Sequence, residues 1–422
     1  ISGYDILFFW DARMIMMGLH LTGGANLSQR IPFRRLYLHS LVRTAEGAKM
    51  SKTKGTGVDP LELTQKFGTD ALRYMLASMA APGTDIILSE DRILGARAFA
   101  NKIWNAARFL FVNLEKVESQ GIEIEEIAAP EIRAKAPYAV PGEGALAHRW
   151  IFSRLAGVSE QVNDALENFR FHEASQLIYH FFWGDFCDWY IEWVKPQIAS
   201  ADRAVALPAW RNIFAALEAA LRLLHPVMPF LTEELWHRLP QERGARSIAL
   251  APFPEPRAEW TDSAVEKSMA YLQGGIVSAR NQRAELKIAQ KEKVPAEVLI
   301  LDEHERSLVE DNRDTIMRLA SLSELREASR PIAGSGGAAV AVSADLDIRV
   351  IYEAKVDRTA ETARIRKEVE RLEKDVESKK KRLADESFRS KAPAKIVQDL
   401  ETTLVERQAE YQKLLDRLKR LE

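Results

Sequence analysis

A mainly α, multidomain protein is predicted from three features of the sequence. From about Asp70 to Leu239, apolar residues recur at three- and four-residue spacing, as in Trp104, Ala107 and Phe111 and in Leu221, Leu224, Met228 and Leu231. Beyond residue 356, two heptad runs flank a short polar break. The length, 422 residues, argues for two to four domains at roughly 100–200 residues each. A 46% hydrophobic content with nine Trp and seventeen Phe can fill sizeable cores, which excludes a disordered chain. No run of ~18 apolar residues exists and no signal-like N-terminus is present, so neither a membrane span nor secretion is expected. The single cysteine, Cys187, excludes an intrachain disulfide and a cysteine-based zinc cluster. Lys and Arg number 59 against 61 Asp and Glu, which excludes a uniformly basic nucleic-acid binder but allows local basic stripes.

Residues 1–98 read as the first part, whose first ~60 residues alternate short apolar runs with loops. The runs 6–10 (Ile6 to Trp10) and 36–38 (Leu36 to Leu38) read as buried strand or helix-start segments. Arg13 to Met17 continues as helix until the glycine-bearing stretch 22–26 breaks it. After a polar loop over 46–57, Asp59-Pro60 opens a helix, because the missing proline N–H would be unpaired in a first turn anyway. This order is that of the end of an α/β sheet whose beginning is expected outside the chain. Residues 99–258 read as a helical bundle punctuated at Pro130-Glu131, Pro137 to Gly144 and Pro196, closing in a proline-rich linker over 248–258. Residues 259–355 read as a small α+β unit with strands at Glu297 to Leu301, Val340 to Val342 and Leu346 to Tyr352, and a flexible loop at Gly334 to Gly337. In residues 356–422, Ile365, Val369, Leu372, Val376 and Leu383 form one seam, interrupted by Lys379. Past a break at Ser387 to Pro393, Val397, Leu400, Leu404, Tyr411, Leu414, Leu418 and Leu421 form the other, interrupted by Arg407. Together they predict an antiparallel coiled-coil hairpin projecting from the body.

Lys49-Met50-Ser51-Lys52-Thr53-Lys54-Gly55 is the sharpest chemical signal. Three lysines among small hydroxyls can wrap a polyanion such as triphosphate, whereas lysines alone most often just face water. The string resembles the KMSKS signature of class I aminoacyl-tRNA synthetases, and it follows a strand and precedes an Asp-Pro helix as that signature does. Gly3 to Trp10 with Arg13 to Gly18, Gly68 to Arg73, Ala81 to Ile86 with Leu88 to Glu90, and Asn101 to Phe109 resemble segments of valyl-tRNA synthetases. So do Asp188-Trp189-Tyr190, His225 to Trp236, and the terminal hairpin, which is similar to that family's tRNA-contacting arm.

The resemblance implies the end of a class I Rossmann-type catalytic domain, a helical anticodon-binding domain and a tRNA-binding coiled coil. It also implies ATP-dependent ligation of valine to tRNA through valyl-adenylate, with ATP and its Mg2+ as substrate, no zinc, a monomer, and a cytoplasmic location. By position, Lys52 matches the family's ATP-contacting lysine and Lys49 its helper, and His39, Met50, Ser51 and Thr53 complete the nucleotide site. Trp10 matches a possible wall of the valine pocket, although by residue type alone it reads first as a core aromatic. Lys379, Lys380, Lys381, Arg382, Arg389, Lys391 and Lys395 cluster around the hairpin tip as expected tRNA-phosphate contacts, against a merely solvated face. Three departures stand out: Ser40 where the family has glycine, Thr53 for the last signature serine, and Thr56 for asparagine.

No His-x-Gly-His pair and no editing segment is found, so the chain is expected to be the C-terminal part of a longer enzyme and inactive alone. Two other readings stay open. The isoleucyl relative commonly carries a C-terminal cysteine zinc motif, which one cysteine cannot form. A non-catalytic tRNA-binding module is the other.

Overall fold

A computed structural model describes residues 1–24, 26–50, 55–128, 136–140, 145–240, 245–328, 346–352, 358–384 and 394–421. The chain divides into Ile1–Ile351 and Tyr352–Glu422, where the sequence pattern predicts the last boundary at 355/356.

In the first unit, β1 (Ser2–Gly3) pairs in parallel with β2 (Leu38–His39), and β3 (Val42–Arg43) pairs in parallel with β4 (Ile86–Ile87). Only Ser40 and Leu41 separate β2 from β3. Parallel pairing needs crossovers, and the intervening helices Ala12–Leu21, Pro60–Phe67 and Thr69–Met79 supply them. Asp59 caps the second of these, its Oδ1 accepting from Leu61 N–H at 2.8 Å. Two expectations are corrected here. Residues 6–10 take the helix-start alternative but are not buried: Tyr4–Ile6 is a 3-10 turn and Leu7–Asp11 a π-helical one leading into Ala12–Leu21, with Phe8 81% and Trp10 59% exposed. Helical geometry sends consecutive side chains around the axis, so this aromatic run cannot point to a single buried face. Of residues 36–38, only Leu38 is in a strand.

Glu90–Leu114 is one unbroken helix that runs through the expected boundary at 98/99, so the two parts share an element. It buries Ile93, Phe99, Ile103 and Leu110 on one face. The bundle continues with Ala145–Glu167, a run from Phe171 to Ile198 whose middle, Phe181–Tyr190, is π-helical, Arg203–Leu224, and Pro229–Arg238. Pro196, read as punctuation, lies within the last turn of that run. Asp70 and Arg73 fasten the bundle to the sheet end. The buried Asp70 carboxylate accepts from Phe230 N–H (3.3 Å) and Leu231 N–H (2.6 Å), satisfying donors at the start of Pro229–Arg238. Arg73 donates to the carbonyls of Val227 (3.1 Å) and Pro226 (3.0 Å).

A fully buried imidazole makes the bundle sensitive to acid. His148 Nε2–H donates to Gln197 Oε1 (2.5 Å), so Nδ1 is left to accept from the Tyr190 hydroxyl (2.8 Å). Burial lowers its pKa from the usual 6.5 to about 4. The neutral form is the one the fold holds, so its contribution is complete above the unfolded value and is lost as pH falls from 6.5 to about 4. The loss is on the order of 3 kcal/mol. Unfolding free energy measured between pH 7 and 4 is expected to fall more steeply for this chain than for His148→Gln, by up to one bound proton.

In the α+β part, helix Ser263–Glu285 packs on a three-stranded sheet of order β6–β5–β7, with β5 at Val294–Val298, β6 at Leu322–Glu327 and β7 at Ile348–Val350. β5 runs parallel to β6 and antiparallel to β7. The expected strand at 297–301 is thus shifted, because burial alternates at Val294, Ala296 and Val298 while Leu301 is exposed. Pro295 sits in this central strand where the register shifts; lacking an N–H, it still accepts from Ile351 N–H at 2.8 Å. β6 is not foreseen by the sequence pattern, since only Leu322 and Leu325 of its six residues are buried. The expected strand at 340–342 and the glycine loop lie outside the described residues.

The second unit consists of helices Arg358–Ala384 and Ala394–Leu421 packed on each other. Val369, Leu372 and Val376 are buried, and Tyr411, Leu414 and Leu415 pack against Val369. At the interruptions, Asp375 pairs with Lys379 and reaches Arg407 on the other helix at 3.9 Å. The expected seam side chains Ile365, Val397, Leu418 and Leu421 lie outside the described side chains.

Candidate functional site

Ligand sites in parallel sheets form beyond the carboxyl ends of the strands. Here those ends carry Tyr4 and Asp5 after β1, and Thr44 to Met50 after β3. From Arg43 the chain turns tightly: Thr44 N–H bonds Ala48 O (3.0 Å), Gly47 N–H bonds Thr44 O (2.9 Å), and Lys49 returns as the antiparallel partner of Arg43. Gly47, at φ +79°, takes the left-handed conformation this turn needs. The Lys49 ammonium, on a 70% exposed side chain, lies 3.3 Å from the Asp5 carboxylate.

Behind it, Arg43 Nε is paired with Asp85, and its Nη2 donates to the Tyr4 hydroxyl oxygen (3.2 Å). The Arg43 hydrogen bond holds the Asp85 carboxyl below the usual carboxylate range and raises the guanidinium in return. His39, exposed at the end of β2, donates from Nδ1–H to Ser40 O at 2.9 Å. Ser40 Oγ–H donates to Ala81 O at 3.2 Å. A cavity of about 530 Å³ lies alongside, lined by Tyr4, Tyr37, His39, Thr84 and Phe169 among others.

The structure therefore brings together Lys49 and, unforeseen, Asp5, Arg43, Asp85 and Tyr4, while His39 shares a cavity lining with Tyr4. Asp5 and Asp85 stand inside the resembling segments, but nothing in their local spacing announces a cation partner. Ser51, Lys52 and Thr53 lie outside the described residues, as do Arg389 and Lys391; the Lys395 side chain does too. Trp10 does not join the group as a core aromatic, being more than half exposed. In the hairpin, Lys379 is engaged by Asp375 and Lys381 by Glu377 at 3.3 Å, while Lys380 is exposed. Among the described residues no cluster of His, Cys, Asp or Glu could hold a metal ion, and no helix is long and apolar enough to cross a membrane.

Residues 1–89 match the family described as tRNA synthetases class I (I, L, M and V). Residues 148–300 match the anticodon-binding domain of tRNA ligase, and residues 357–422 the valyl tRNA synthetase tRNA binding arm. In this order, and with Lys49 following β3, the chain falls in the class I aminoacyl-tRNA synthetases. The valine–tRNA ligase of Solibacter usitatus (strain Ellin6076) is 42% identical over 417 residues, 98% of this chain and 44% of that protein. That of Geobacter sulfurreducens is 39% identical over 402 residues, 94% of this chain and 42% of that one. The chain belongs with the valyl-tRNA synthetases and matches their C-terminal portion. It spans less than half the length of these relatives. The tRNA-binding-arm match decides against the isoleucyl alternative. Among solved structures, an Agrobacterium radiobacter K84 LeuRS–tRNA–LeuAMS complex aligns at TM-score 0.43 and 15% identity, over 77% of this chain and 36% of that one. That likeness is too low to bear on the fold.

Proposed function

We propose that this chain serves the ATP-dependent attachment of valine to its tRNA, as the C-terminal portion of a valine–tRNA ligase. The observation that carries the reading is Lys49, set by a tight turn after β3 as the antiparallel partner of Arg43 and 3.3 Å from Asp5. In the reaction the valine carboxylate oxygen attacks the α-phosphorus, the bond to the bridging oxygen breaks, and pyrophosphate leaves. Negative charge grows on that leaving group, so ammonium groups of Lys49 and Lys52 aimed there lower the barrier. ATP enters with its Mg2+ as one substrate. The nucleotide site comprises His39, Lys49, Met50, Ser51, Lys52 and Thr53, and Trp10 walls the valine pocket. The acyl group then passes to the tRNA 3′ end.

The division of labour follows the sequence: 1–98 in catalysis, 99–258 at the anticodon, 259–355 as connector, and 356–422 as a coiled-coil arm on tRNA through Lys379, Lys380, Lys381, Arg382, Arg389, Lys391 and Lys395. The enzyme acts as a cytoplasmic monomer. The test is valine-dependent exchange of pyrophosphate into ATP by the chain joined to the N-terminal portion of a related valine–tRNA ligase. Exchange with valine well above that with isoleucine is the expected result, and no exchange with either removes the reading.

A further inference from the structure

We infer that Asp85 is a positioning residue for the signature loop, acting through Arg43; the inference rests on the adenylation reading above. Asp85 precedes β4, and its carboxylate gathers three donors from two other segments. These are the Arg43 guanidinium, Leu41 N–H at 3.4 Å, and the Tyr4 hydroxyl, 3.3 Å from both carboxylate oxygens. Arg43 closes the ring by donating to Tyr4 at 3.2 Å. Its pairing with Asp85 is about three-quarters shielded, with side-chain exposures of 27% and 24%.

Arg43 is also the residue across from which Lys49 re-enters, after one tight turn. Fixing the Arg43 side chain therefore fixes the strand end on which the loop is hinged. The direct Lys49–Asp5 pair cannot do this alone, because a pair so open to water is weak and screened by salt. The clamp thus ties the ends of β1 and β3 to the start of β4 at the base of the loop. Tyr4 and Asp5 are adjacent, so one turn after β1 supplies both contacts to the loop base. A small displacement of lysines acting on a leaving group lowers the rate without weakening the binding of valine, which the loop does not hold.

Two measurements decide this. On the full 422-residue chain, Asp85→Asn is expected to speed tryptic cleavage after Lys49 about fivefold, with the thermal midpoint little changed. Tyr4→Phe, a milder change at the same ring, is expected to move cleavage the same way by less, and it keeps the test sound if Asp85→Asn unfolds. In the completed enzyme, Asp85→Asn is expected to lower kcat for pyrophosphate exchange about tenfold with KM for valine unchanged. Asp85→Glu should restore part of that loss. Combined with Lys52→Ala it should add little further loss, because both changes act through one loop. Cleavage after Lys49 unchanged in both variants, or losses that multiply in the double variant, overturns the inference. If the unaltered completed enzyme exchanges no pyrophosphate, the adenylation reading fails, and the cleavage comparison still decides the clamp.

Discussion

Lys52→Ala, in the chain completed by the N-terminal portion of a related valine–tRNA ligase, is expected to slow adenylate formation about a hundredfold, or ~3 kcal/mol. Lys52 follows three residues after Lys49, whose backbone is anchored against Arg43. On the proposed reading, Lys52 acts on the departing pyrophosphate rather than on the amino-acid side chain. Its interaction strengthens as charge moves onto the leaving oxygen, so the loss should appear in kcat while KM for valine stays close to its starting value. Pyrophosphate exchange measured over a range of valine concentrations separates the two. A rise in KM with kcat unchanged would make Lys52 a binding residue and remove it from transition-state stabilisation.

Removing residues 357–422 from the completed enzyme is expected to cost more than about tenfold in tRNA affinity at low salt and to leave pyrophosphate exchange nearly intact. The cut leaves the unit Ile1–Ile351 whole, including β1 to β4 and the Arg43–Asp85 clamp, so adenylation keeps its parts. What disappears is a pair of helices whose apolar seam is narrow and whose tip carries seven basic residues from Lys379 to Lys395. Each lysine or arginine that neutralises a phosphate releases condensed counterion. Without a few such pairings, the slope of log affinity against log salt should shrink by roughly 3. Lys379 should contribute least, because its charge is engaged by Asp375 within the hairpin. Binding titrations at several salt concentrations, run beside exchange assays on the same truncated protein, make the check. An unchanged slope would return the hairpin to a solvated structural element.

How legible these features were depends on how local their causes are. The helix at Pro60 was readable because Asp59 caps it from one residue away. The long helices and the hairpin were readable because a 3.5- or 3.6-residue repeat needs no distant partner to declare itself. The strand at 322–327 was not, because two buried leucines in six residues match no period-2 pattern until β5 provides the neighbouring edge. The shift of β5 to Val294–Val298 has the same origin: Val298 and Leu301 look alike in sequence, and only packing makes one buried and the other exposed.

The sequence by itself determined the class of protein, the signature lysines, the mainly helical body and the paired terminal helices. Each of these is written in residue type at fixed short spacing. Only the tertiary structure decided that Phe8 and Trp10 face outward, that Asp70 caps a helix 160 residues away, and that Asp85 holds Arg43 across 42 residues. Hydrogen bonds and ion pairs depend on distances of about 3 Å, and chain separation says nothing about such distances until the strands have been laid side by side.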